Sequence, residues 1–301
     1  MHQTASPRKA TSPSSRLPFA ALIVANVALA FGPWFVRMTD VGPVAAGFWR
    51  MVLAAPLLLV LAGAGGARPV ASARGLWWII GASGVLFAGD LAAWHIGIHH
   101  TKLANATLFG NAATFVFPLW GFIVARLWPT RLQGLALALA AAGAALLMGG
   151  SYQLAPENLL GDVLSLAAGL LYAGYFILMA RVRETVAPLP AIGLSSLAAA
   201  PVLLIAALAM GERVLPGDWT PLILLALFSQ LVGQGLMTYA LGQLPALVIG
   251  LALLTQPVVA AAIGLAVYGE RLGAADLIGA VMVAVALVLV RIAPERVRED
   301  A

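Results

Sequence analysis

Two charged side chains stand where an apolar chain has little room for them. Asp90 lies in LFAGDLAAWHIGIHH (residues 86–100), directly after the apolar run GLWWIIGASGV. Arg50 follows Phe48 and Trp49 in the equally apolar GFWRMVLAAP. At the centre of a membrane helix such a charge costs about 2.5–3.5 kcal/mol on insertion scales. It is therefore a functional candidate by default and requires a partner. At 1.5 Å rise per residue both groups fall about 10–12 Å below the same surface. They are expected to face each other or one common cavity. Three kinds of chemistry fit: an ion pair that ties two helices, recognition of the charged ends of a zwitterion, or proton coupling through Asp90. His95, five residues on, is a candidate relay; its plainer reading is an interfacial histidine wetted by headgroups. His99 and His100 belong to the following turn and are assigned nothing. Asp90, His95, His99 and His100 match no ligand spacing, so no metal is expected.

Around this pair the polar residues fall at helical spacing. Ser83, Phe87, Asp90 and Trp94 recur at steps of four, three and four, which places them on one helix face. Thr107, Asn111, Thr114 and Pro118 do the same, and Pro118 frees a carbonyl one turn earlier. A polar stripe on a spanning helix must face protein or water. Gln230, Gln234 and Thr238 form another stripe, followed by Tyr239, while Thr255 and Gln256 precede Pro257. Asn26, Trp34, Tyr172 and Tyr175 complete the candidate substrate-binding set with Arg50, Phe87, Asp90, Trp94, Asn111, Gln230, Gln234 and Tyr239. For the amides, helix-to-helix hydrogen bonding worth about 0.6 kcal/mol per contact is the competing role. For Trp34, Trp77, Trp78 and Trp128 it is anchoring at the membrane interface. Tyr172 lies too near mid-span for that.

The elements that carry these residues are membrane spans. Of 301 residues, 62% are hydrophobic and 10% charged, against about 25% charged in soluble domains. The mean hydropathy is +0.97. The pI of about 10.1 does not point to nucleic acid, because the basic residues sit in short loops and form no basic face. There are no cysteines, hence no disulfide framework. Runs of about 20 apolar residues predict ten helices over 17–37, 43–63, 75–98, 103–125, 131–149, 159–181, 190–210, 219–241, 246–268 and 274–292. Residues 1–16 are polar, basic and Ser/Pro-rich, and are expected to be a disordered tail. A secretory signal ending near Ala28–Ala30 is the rival reading, but the apolar stretch continues to Phe35. With the N-terminus inside, Arg37, Lys102, Arg213 and Arg271 fall outside, Arg50 lies within a span, and the other twelve of the 17 Lys and Arg fall inside. The positive-inside rule then puts both termini in the cytoplasm, with residues 293–301 as the C-terminal tail.

The chain also resembles itself. AAPLLL (54–59) matches AAPVLL (199–204), Gly97 matches Gly242, and ARLWPTRLQG (125–134) matches ERLGAADLIG (270–279), all at one offset of 145 residues. Two repeats follow, over 17–149 and 159–292, with five helices each. An odd number makes the second enter the membrane from the opposite side, an inverted-repeat transporter architecture with its site near the midplane.

Two five-helix halves, short loops and the ending GERLGAADLIGAVMVAVALVLV (269–290) resemble the drug/metabolite transporter superfamily, and more narrowly its EamA-type members. The motif is Glu270, Arg271, Leu272 and Gly279; in the first half Arg126, Leu127 and Gly134 fit while Ala125 replaces the glutamate. FWRM (48–51) is also typical. Within the superfamily the chain is similar to amino-acid exporters of the YddG type. The resemblance implies a ten-helix export carrier for small metabolites in the bacterial inner membrane. No P-loop, H-E-x-x-H or G-x-S-x-G motif occurs, so no enzyme and no cofactor is expected. The expected partners are a small-molecule substrate and the lipid bilayer, with the chain a monomer or weak dimer. The rival classes are a membrane enzyme acting on lipids, which wants several catalytic groups at one interface, and a channel-like subunit.

Overall fold

Prolines and glycines set where the apolar runs start and break. The computed structural model describes residues 16–97, 100–101, 109–149, 156–268 and 273–293, and among the described residues there are helices and no strands. The first expected span is two helices, α1 (Arg16–Ala30) and α2 (Gly32–Met38), broken at Phe31. Pro33 occupies the first turn of α2, where its missing N–H costs nothing. Next come α3 (Pro43–Ala64), the short α4 (Pro69–Ser72) and α5 (Trp77–Gly97). After a turn at Asn111–Ala112 the chain forms α6 (Ala113–Ala125) and α7 (Arg131–Gly149). The second half contains α8 (Leu159–Val182), α9 (Pro188–Ala209) and α10 (Thr220–Leu224), then a ten-residue π-helix π1 (Leu225–Gln234), then α11 (Gly235–Leu241). It closes with α12 (Ala246–Ala252), α13 (Thr255–Tyr268) and α14 (Ala274–Ile292).

Among the described residues, six stretches are long and apolar enough to cross a membrane: Arg16–Met38, Pro43–Ala64, Trp77–Gly97, Pro156–Val182, Pro188–Ala209 and Thr220–Leu241. Ala113–Ala125, Arg131–Leu146, Ala246–Val259 and Leu277–Ile292 are shorter apolar helices. Four of the expected ranges are not uniform α-helices. The first breaks at Phe31, 103–125 turns at Asn111–Ala112, 219–241 passes through π1, and 246–268 turns at Leu253–Leu254. The outward faces stay apolar: Val60 and Ile205 are each 68% exposed. Water would not tolerate a surface of this kind, so the molecule has the character of an all-α membrane protein.

α3 lies against α9, α5 against α8 and α9, α6 against α12, α7 against α14, and α1 against π1 and α11. Without a hydrophobic drive between helices, close approach depends on small residues. A Cβ on Gly84 would stand 2.5 Å from the Ser195 carbonyl oxygen, and one on Gly250 would run into the Pro118 ring. Neither crossing has room for a methyl group. At one end a strap after α9 binds the start of α3. The Glu212 carboxylate accepts from the N–H groups of Val44 (3.2 Å) and Ala45 (2.7 Å), and Trp49 Nε1 donates to the Val214 carbonyl at 2.7 Å. Arg213 pairs with Asp40 at 3.2 Å, and the Gly217 N–H donates to Asp40 at 2.7 Å. The Gly217 N–H, with help from Arg213, holds the Asp40 carboxyl below its ordinary pKa.

Candidate functional site

A cavity of about 290 Å³ opens between the two halves of the chain, near the lower edge of the about 300–1,000 Å³ typical of ligand pockets. α5 brings Phe87, Asp90 and Trp94 to it, as the helical spacing predicts, and His95 joins them. Ser83, on the same predicted stripe, instead meets Ser195 Oγ at 2.9 Å and its own Ile80 carbonyl, at the α5–α9 crossing. α3 contributes Arg50; the break between α1 and α2 brings Gly32, Pro33 and Trp34. Asn111 lies at the turn before α6, Tyr172 on α8 and Gln234 at the end of π1. Thr107 and His99 lie outside the described residues, as do Glu270, Arg271 and Leu272; His100 is exposed.

Arg50 and Asp90 share this wall, but they form no ion pair with each other. The Arg50 Nε–H donates to Gln230 Oε1 at 2.9 Å, and its guanidinium carbon lies 5.6 Å from the centre of the Phe87 ring. Arg50 is only 8% exposed, and its Nη2 has no hydrogen-bond partner. The expectation of a common cavity therefore holds and that of direct contact does not, because an amide from the other half takes the guanidinium first.

Gln230 itself is not on the wall. It is fully buried, and its Nε2 donates to Ser196 Oγ at 2.9 Å. Gln234 turns instead to Tyr172, donating to its hydroxyl at 2.9 Å, and leaves its own Oε1 unpartnered. The predicted step-of-four stripe is thus split by its partners: Gln230 is taken up by Arg50 and Ser196, and Gln234 by Tyr172. Asn26 sits behind the wall: it donates to the Leu22 carbonyl and accepts from Gln256 Nε2, which does line the cavity, at 2.9 Å. Tyr175 is fully buried beneath the wall, stacked on Phe87 with ring centres 4.6 Å apart. Tyr239 does not reach the cavity.

The cavity is one-sided. It extends along α2 to Val36 and the exposed Arg37, and along α5 to Trp94 and His95, near the ends where both helices finish. In the other direction aromatic rings fill the space. Tyr172 meets Phe176 at 4.2 Å, Phe176 meets Phe117 at 5.5 Å, and Phe117 stacks on Trp120 at 5.7 Å. Sequence reading passed over Arg37, Ser196 and the aromatic floor. Arg37 was visible only as a loop charge, and Ser196 as a serine among alanines. Among the described residues no three His, Cys, Asp or Glu side chains gather as a metal site would need.

Residues 159–292 match the EamA-like transporter family. The chain is also 26% identical over 147 residues to an uncharacterized transporter of Archaeoglobus fulgidus, a match that covers 48% of this chain and about half (50%) of that relative's length. In three dimensions it is similar to a solved crystal structure, described only as that of a protein, with a TM-score of 0.76. That likeness covers 92% of this chain and 96% of the other at 17% identity, so it concerns the fold alone.

Proposed function

We propose that this chain is an EamA-type carrier of the drug/metabolite transporter superfamily, a ten-span protein of the bacterial inner membrane. It exports small metabolites, amino acids foremost, by alternating access. The cavity carries the reading: opposite charges, amides and aromatic rings converge on it from both halves of an all-helical apolar chain. The matches over residues 159–292 and to the archaeal relative support a membrane transporter as the class. A cavity open at one end and filled with rings at the other supports alternating access. In this reading Arg50 and Asp90 take the charged ends of the solute. Trp34, Phe87, Trp94 and Tyr172 hold its side chain, and Asn111, Gln234 and Gln256 supply hydrogen bonds. Asn26, Gln230 and Tyr175 support that wall from behind. Export runs either as facilitated diffusion or as exchange for protons through Asp90 and His95.

The inverted repeats, over 17–149 and 159–292, find support in which helices touch. α3 with α9, α6 with α12 and α7 with α14 pair each helix with its counterpart, while α1 with π1 and α5 with α8 exchange places under the same operation. A two-fold axis in the membrane plane produces this pattern. Helix breaks fall at nearly corresponding places, Asn111–Ala112 and Leu253–Leu254, both beside the cavity; such paired discontinuities point to transporter sites. Both termini are cytoplasmic, the chain works as a monomer or weak dimer in lipid, and it takes no nucleic acid. Counterflow of a panel of radiolabelled amino acids, nucleosides and sugars into proteoliposomes of the purified protein tests the proposal. Saturable exchange of at least one amino acid is expected. Conductance without saturation, or exchange of none of the panel, overturns it.

A further inference from the structure

Arg50 is expensively kept. Its guanidinium offers five N–H donors; among the described residues Nε donates to Gln230 and Nη2 has no partner. A buried cation with idle donors destabilises the fold unless something else satisfies it. The Phe87 ring, 5.6 Å away, compensates in part. Asp90 stands on the same wall and does not pair with it. What turns Arg50 toward this arrangement is a chain of two hydrogen bonds from the other half: Ser196 accepts from Gln230, and Gln230 accepts from Arg50. Both are fully buried and off the cavity wall, so neither touches a solute.

We infer that Gln230 and Ser196 are positioning residues that aim the unused edge of Arg50 at a carboxylate group of the solute. This rests on the cavity being a solute site, and not on transport itself. A neutral amide orients the guanidinium through Nε and leaves its charge intact; a carboxylate in that place would cancel it. The guanidinium N–H groups that remain can give a carboxylate charge-assisted hydrogen bonds. Exposed Arg37 at the mouth adds a second cation along the approach.

The test compares two probes with one aromatic body and opposite charge, 3-phenylpropionate and 2-phenylethylamine, binding to the full-length protein in detergent by calorimetry. Ser196→Ala is expected to weaken 3-phenylpropionate about tenfold and to leave 2-phenylethylamine within about twofold. Ser196→Thr, which keeps the hydroxyl, restores the carboxylate probe, and Gln230→Leu gives the larger loss. Should Gln230→Leu fail to fold, Ser196→Ala, lacking a single hydroxyl, carries the test alone. Equal weakening of both probes, no weakening in a folded Ser196→Ala protein, or no binding of 3-phenylpropionate to the wild type overturns the inference. Carboxylate binding without exchange in proteoliposomes would sink the transport reading and leave this one standing. Exchange of a solute with no carboxylate site would do the reverse.

Discussion

The two halves of the chain build the same kind of wall from different chemistry. Residues 17–149 supply the charged groups, Arg50 and Asp90 with Arg37 at the mouth, and the rings of Trp34, Phe87 and Trp94. Residues 159–292 supply neutral groups: Tyr172, Gln234 and Gln256 on the wall and Gln230 behind it. A buried charge is costly, and a frame with charges in both halves would carry that cost twice. A neutral amide, Gln230, instead orients Arg50 across the interface without cancelling its charge. The difference teaches that one half places its charged groups at the cavity and the other half orients Arg50 with a neutral amide.

The comparison can be broken at several levels. The largest effect is all-or-none: reporter fusions after residues 150 and 301 should read opposite sides of the membrane, and the same side for both would end the inverted pairing of the halves. Next is the charged wall. Asp90→Asn and Arg50→Gln should each lower counterflow at least tenfold, about 1.4 kcal/mol, with the fold intact by size-exclusion chromatography. Because the two side chains form no ion pair and interact only through their charges, the Arg50→Ala, Asp90→Asn double variant should lose nearly the sum in free energy; strong mutual rescue would mean a direct contact. The neutral wall should respond less. Gln256→Leu, which also strips Asn26 of a partner, should cost a few-fold in apparent affinity, about 1 kcal/mol, and a loss as large as that of Asp90→Asn would erase the distinction between the halves. The smallest effect lies at the strap. Asp40 is held below its ordinary pKa by Gly217 and Arg213. Its contribution is therefore present above the unfolded pKa of about 3.9 and fades as pH falls through the lower folded value. Asp40→Asn should flatten the acid side of the melting-temperature profile slightly, and a profile unchanged by the substitution would show the strap contributes nothing.

Much of this was legible in the chain. The Phe87, Asp90 and Trp94 face followed from spacing alone, since helical periodicity fixes which side chains share a direction. Arg50 and Asp90 could be set at one depth by counting residues. Their separation could not be read, because it depends on Gln230, 180 positions along the chain from Arg50. The split of Gln230 from Gln234 was equally hidden: a step of four places them together, and the partners that separate them, Arg50 and Ser196 for one and Tyr172 for the other, are remote in sequence. Ser196 gives no signal of its own, because its role exists only through the partner it meets.

Composition and period by themselves settled the membrane character, the rough position of the helices and the candidate polar residues. Those properties arise from each residue's own transfer energy and from the geometry of one helix. Which donors are satisfied, which charge stays free, where helices break beside the cavity and which end is closed by rings were decided only when the halves came together. Hydrogen bonds and close crossings depend on ångström distances between residues remote in sequence, and no local pattern encodes them.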